Sequence, residues 1–139
     1  MDFKSKDEGT WFYFDETEHS IGGVKLRLLT PLEEDIIDKE VTAVTNKPHR
    51  GAMVETRKVN NKLRNNLTYN KWIVDWKAIE LDGKKLPCNE ENKLLMMNNV
   101  AIFARFVLDK ILEMGDDDAI IHEARVKNLK SSSSGESTE

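Results

Sequence analysis

The chain reads as a mainly α protein with an N-terminal β-hairpin (an α+β arrangement). It is a small bundle of three to four helices with a disordered C-terminal tail. Three observations predict this. Trp11-Phe12-Tyr13-Phe14 and Val24 to Leu29 are two β-prone runs joined through Gly22-Gly23. Thr30-Pro31-Leu32-Glu33 is a helix start with a capping threonine, a proline suited to the first helical position and a glutamate that completes a capping box. Leu94 to Met114 is apolar nearly all round, as a centrally packed helix would be.

Length and composition set the frame. With 139 residues, 39% apolar and 33% charged, the chain has room for one domain with a modest core and a heavily solvated surface. The expected organisation is a flexible start over residues 1–10 and a single globular domain over 11–130, followed by a Ser-rich tail over 131–139 that cannot bury anything. Within the domain the hairpin occupies 11–29 and the helices 30–130. Apolar runs are too short to span a bilayer, and the polar start MDFKSKDEGT is neither a secretory signal nor a transit peptide. A lone Cys88 cannot close an internal disulfide, which points to a reducing cytoplasm and makes the Asn66-Leu67-Thr68 sequon a chance match.

In the hairpin, Val24, Leu26 and Leu28 alternate with Lys25 and Arg27, while the glycine pair supplies the positive φ that its loop needs. The first helix carries Leu32, Ile36, Ile37, Val41 and Val44 on one stripe, and Asn46 and Pro48 close it. Residues 47–53 read as a loop. A second helix follows with Val59, Leu63 and Leu67 on one face and Val74, Ala78 and Leu81 continuing the phase. Its many asparagines predict a break near Thr68. Trp72, Val74 and Trp76 also alternate as a strand would, so both readings stand there. Leu81-Asp82-Gly83-Lys84 is a tight turn. Asn89 caps the third helix, with Glu90 and Glu91 at its positive end. Asn98, Arg105, Asp109 and Glu113 trace a narrow polar stripe along that helix, and Gly115 stops it. Asp116 to Asp118 then open a short last helix bearing Ile120 and Ile121.

The net charge of −4 conceals a segregation. Residues 1–46 hold five basic and eleven acidic side chains, residues 47–77 eight and two, and residues 78–139 eight and twelve. Either the acidic and basic segments face one another, or the basic segment meets an acidic partner. For catalysis the pattern is a set of absences. His19, His49 and His122 have no paired spacing, Cys88 has no CxxC partner, and Gly22-Gly23 lacks phosphate-loop spacing. Asp116-Asp117-Asp118 lacks the spaced ligands of a calcium loop. No enzyme, metal or cofactor is expected. The basic residues Arg50, Arg57, Lys58, Lys62, Arg64, Lys71 and Lys77 form the one candidate nucleic-acid surface, but its aromatics Tyr69, Trp72 and Trp76 equally suit a core.

The junction Val24-Lys-Leu-Arg-Leu-Leu-Thr-Pro, followed by Trp72-Ile-Val-Asp-Trp-Lys-Ala-Ile, Asp82-Gly-Lys-Lys-Leu-Pro and Glu91-Asn-Lys-Leu-Leu, resembles the small tail assembly chaperones of long-tailed bacteriophages. The likeness covers roughly residues 24–115. It implies a cytoplasmic, non-enzymatic protein of an infected or lysogenic bacterium that binds the tape-measure protein, helps recruit the major tail protein and is absent from the mature virion. Such families often make a longer frameshifted product, for which the tail from Lys130 is a suitable junction. Strand pairing at the hairpin would use Trp11, Tyr13, Leu26 and Leu28, and steering charge would come from Arg57, Lys58, Lys62 and Arg64. Thr30, Trp72, Trp76, Asp82, Gly83 and Pro87 are expected as structural anchors, and the 94–112 helix could complete its burial in a homo-oligomer. Rival expectations are a tail-completion or connector protein of the virion, and a nucleic-acid-associated regulator using 47–77.

Overall fold

The computed structural model describes residues 8–130, with side chains described as far as Gly115. In chain order the elements are β1 (Thr10–Tyr13), β2 (Gly23–Leu26), α1 (Pro31–Val41), β3 (Thr42–His49), β4 (Ala52–Val59), α2 (Asn61–Trp72), β5 (Ile73–Lys77), β6 (Glu80–Leu81), β7 (Lys84–Lys85), α3 (Glu90–Asn99) and α4 (Ala101–Lys130). With four helices and three small antiparallel sheets among the described residues, the architecture is mixed α+β and not the mainly α bundle expected. The flexible start expected for 1–10 lies mostly outside the described residues, although Thr10 already belongs to β1, and the tail 131–139 lies wholly outside them.

The N-terminal hairpin forms as its alternation predicts, and it acquires a third strand. β2 pairs antiparallel with β1 on one side and with β5 on the other. Its inward side chains Val24 and Leu26 are fully buried, in line with Phe12 on β1 and with Ile73 and Trp76 on β5. A bulge between Lys25 and Leu26 puts Val74 outside the regular ladder, so Ile73 and Trp76 both point inward at a spacing of three. The helical phase expected to continue through Val74, Ala78 and Leu81 is thus replaced by strand and turn. Val74, expected on the buried face, is exposed. The second helix ends at Trp72 instead of near Thr68.

Two further expectations change. The first helix stops at Val41, not at Asn46 to Pro48, because the run from Val41 to Thr45 is rich in β-branched residues that favour extended backbone. Residues 47–53 are not a loop but part of an eight-by-eight residue hairpin, β3–β4, in full register from Thr42↔Val59 to His49↔Ala52. Its two-residue turn is Arg50-Gly51, both at positive φ (53° and 80°), as a hairpin turn matching strand twist requires. The Asp82-Gly83 turn has the same form at 52° and 81° and joins β6 to β7.

The long apolar helix is two helices. Asn89 caps α3 through Asn92 N–H at 2.8 Å, as expected. The helix breaks at Val100, where the Asn99 side chain donates to the Leu95 carbonyl at 2.9 Å and competes with the backbone ladder. α4 then runs through Gly115, so Asp116 to Asp118 open no separate helix. One glycine weakens a helix interior without ending it. The core lies between the inner sheet face and these two helices, where Met96, Met97, Phe103, Val107 and Ile111 pack on the strands. α4 is not packed on most sides. Ile102 is 82% and Leu112 64% exposed.

Two glycines test this account. Gly22 sits at φ +120°, and a Cβ there would lie 2.5 Å from the Lys77 carbonyl oxygen, whereas a Cβ at Gly115 meets nothing within 4 Å. Gly22→Ala should therefore destabilise the protein by about 2 kcal/mol or more, and Gly115→Ala should stabilise it by about 0.5–1 kcal/mol. Thermal and urea melts of the two variants would check both signs.

Candidate partner-binding surfaces

The charged node at the end of the central strand is a tightly constrained polar site. Beyond β2, the Arg27 guanidinium donates both terminal nitrogens to Glu33, at 2.8 Å to Oε1 and 2.7 Å to Oε2. Glu33 Oε1 also accepts from the Thr30 N–H at 3.0 Å, while Thr30 Oγ1 accepts from the Glu33 N–H at 3.1 Å, which completes the expected capping box. Lys71 Nζ of α2 approaches the same carboxylate at 3.7 Å. The Arg27 hydrogen bonds, with help from Thr30 N–H and Lys71, hold the Glu33 carboxyl at about 2, well below its ordinary 4.5, against the opposing effect of partial burial.

On the outer sheet face, Trp11 and Tyr13 are half-buried, with Lys77 Nζ 4.6 Å and 5.7 Å from their ring centroids. His19 stacks on Tyr13 at 3.7 Å. Of the residues expected to pair with a partner strand, Trp11 and Tyr13 are thus accessible on an edge strand. Leu26 is not, because β2 is the central strand and its inward side chains are fully buried. Leu28 lines a hollow of about 560 Å³ between α1, α2 and α4, with Ile37, Trp72, Ile111 and Leu112 and a rim of Glu34, Asp38 and Arg64. A second apolar hollow of about 560 Å³ opens beside the α3–α4 break, among Phe14, Ile21, Ile79, Met96, Ile102 and Phe106.

The basic segment is divided among several elements. Arg64 pairs with Asp38 on α1 and Lys71 reaches Glu33, so part of the acidic and basic excess meets inside the chain. Arg57 pairs with Glu55 along β4 at 2.6 Å. Lys58 and Lys62 are exposed and form no ion pair among the described residues. The arm places Thr42, Val44, Asn46 and Pro48, with Val59, Arg57, Glu55 and Met53, on one face. The other face bears Ala43, Thr45, Lys47 and His49 with Lys58, Thr56, Val54 and Ala52. Sequence reading missed this second face because neither strand shows an apolar alternation. The β-branched residues on both sides of Arg50-Gly51 were the available signal.

Trp76 Nε1 donates to the Leu86 carbonyl at 2.8 Å and its ring meets Phe103 edge-on at 5.8 Å. It anchors a strand, not the helix expected. Trp72 closes α2, half-buried against Tyr69. The Pro87 carbonyl accepts from Asn92 Nδ2 at 2.9 Å and ties the loop to α3. Cys88 is half-buried, and burial pushes its thiol pKa upward, so the thiolate is disfavoured. Among the described residues no group of three or more His, Cys, Asp or Glu could hold a metal ion. Among the described residues no helix is long and apolar enough to cross a membrane. The His122 side chain lies outside the described residues. No family model, curated protein or solved structure matches the chain.

The Glu33 node makes a pH prediction. A carboxyl depressed from 4.5 to about 2 contributes stability in full above pH 4.5 and loses it as pH falls toward 2. Glu33→Gln should cost about 1–2 kcal/mol at neutral pH, after allowance for solvent screening, and almost nothing near pH 2. Urea denaturation of both proteins across that range reads the difference, and a gap that does not close on acidification would contradict the account.

Proposed function

We propose that this chain is a tail assembly chaperone of a long-tailed bacteriophage. In this reading it is a non-catalytic protein of the bacterial cytoplasm that keeps the tape-measure protein soluble, helps recruit the major tail protein and leaves before the virion is complete. The observation that carries the reading is the apolar surface left uncovered around the α3–α4 break, where Ile102 stands 82% exposed beside Phe14, Ile21 and Phe106. Contiguous exposed apolar surface marks sites of association. A groove of this kind suits the apolar face of a long amphipathic helix, which is the chemistry expected of a tape-measure protein. The motifs that resemble the chaperone families support the same reading, although Thr30, Trp76, Asp82 and Asn92 within them hold the fold together.

Co-expression with the tape-measure protein encoded by the same phage tests the proposal. The two chains should co-purify, and the tape-measure protein should become insoluble when this chain is omitted. Ile102→Asp should weaken the complex about tenfold or more while the fold persists. Equal solubility of the tape-measure protein with and without this chain would sink the proposal. Recovery of this chain from purified particles would favour the rival reading of a tail-completion or connector protein.

A further inference from the structure

The β3–β4 arm is a two-stranded ribbon whose residues are nearly all exposed, and neither of its outer edges pairs with another described strand. A lone ribbon of this kind is marginal in water, and a packed layer or further strands normally secure it. One of its faces carries Lys47 and Lys58 around Val54 and Ala43, with no acidic residue. Neither lysine has an ion-pair partner among the described residues.

We propose that this basic face docks on the outer side of α1 in a second copy of the chain, so that two arms clasp two helices in a symmetric dimer. The counter-surface is on the same molecule. Leu32 is 68% and Ile36 51% exposed, one helical turn apart, and Glu40 continues their row. Asp35 lies beside that row, and among the described residues its ion-pair partner is the exposed Lys39. Val54 and Ala43 would cover the two apolar side chains, while Lys47 and Lys58 would meet the two carboxylates. The segments are opposite in sign: residues 42–59 hold four basic side chains and one acidic, and residues 31–41 hold one basic and five acidic. The acids on the inner sides of α1, Glu33 and Asp38, are already matched by Arg27 and Arg64 of their own chain. Those on its outer side still have capacity for a partner.

Because one chain supplies both halves, each contact occurs twice about a two-fold axis. Strands of this length reach about 26 Å. Two such contacts bury on the order of 1,000 Å², the threshold for a specific interface. A nucleic-acid backbone would satisfy the lysines but would leave Leu32 and Ile36 uncovered. The ribbon also carries no Phe, Tyr or Trp for base stacking. This inference does not rest on the chaperone reading, and its test involves no tape-measure protein.

The test is light scattering of the purified full chain at low ionic strength. A dimer is expected, weakening as salt is raised. Lys47→Glu with Lys58→Glu, and separately Asp35→Lys with Glu40→Lys, should each weaken it about tenfold or more. All four positions are exposed, and circular dichroism would confirm that the variants fold. Mixing the two double variants should restore a dimer, because the reversed arm then meets the reversed helix while the native pair is kept at the other contact. A monomeric wild type, a dimer indifferent to both reversals, or a mixture that stays monomeric would each overturn the proposal. So would a dimer broken only by Ile102→Asp, which would place the interface on α4. A monomer whose lysine face instead shifts duplex DNA would also overturn it.

Discussion

Arg27 emerges from the end of the central strand and is held there from both directions. Its backbone N–H donates to the Trp72 carbonyl at 3.0 Å, and its guanidinium grips Glu33 through two parallel bonds. Three segments therefore converge on one carboxylate: the exit of β2, the first turn of α1 and the last turn of α2. A bidentate pair fixes orientation as well as distance. α1 accordingly leaves the sheet at a defined angle, and the excursion through α1, the arm and α2 returns to the point where β5 must begin. The burial of Val24, Leu26, Ile73 and Trp76 depends on that return.

Much of this was legible from residue types acting locally. The threonine–proline–glutamate start, the Asn89 cap and the Asp82-Gly83 turn are short-range chemistry and formed as read. Errors gathered where tertiary contacts decide between two local options. Val74, Ala78 and Leu81 continue the phase of one helix face in sequence, yet pairing with β2 draws residues 73–77 into a bulged strand and leaves Val74 exposed. Val44 fits the stripe of the first helix, yet the β-branched run around it goes into a ribbon. Arg50 gives no hint of a turn, because arginine is not a residue that favours positive φ. At Val100 the break comes from an asparagine side chain competing for a carbonyl, a contact invisible to periodicity.

The candidate surfaces were less legible than the fold. The hairpin residues Trp11 and Tyr13 remain accessible, but Leu26 faces the core, since a third strand converts an edge into a centre. The charge segregation proved to be partly an internal arrangement, with Arg64 and Lys71 meeting Asp38 and Glu33. What is left over is specific in position: lysines on one face of a ribbon, a leucine–isoleucine row on a helix, and an apolar hollow beside a helix break. None of these is a catalytic arrangement. Each is exposed surface that the described residues of the chain leave uncovered.

The order of strands also has a kinetic consequence. The β1–β2 hairpin and the arm close between neighbours in sequence, but β2 must find β5 about fifty residues later, with α1, the arm and α2 contained in the loop between them. That closure is the slow, non-local step of the topology. Within that loop α2 is also tied to α3, through Lys93 to Asn70 and Asn98 to Asn66, whereas the arm supplies no residue to the buried core cluster. The length or composition of the arm can therefore change while the core stays the same. The fold thus separates a packed platform from a ribbon whose residues leave the core untouched.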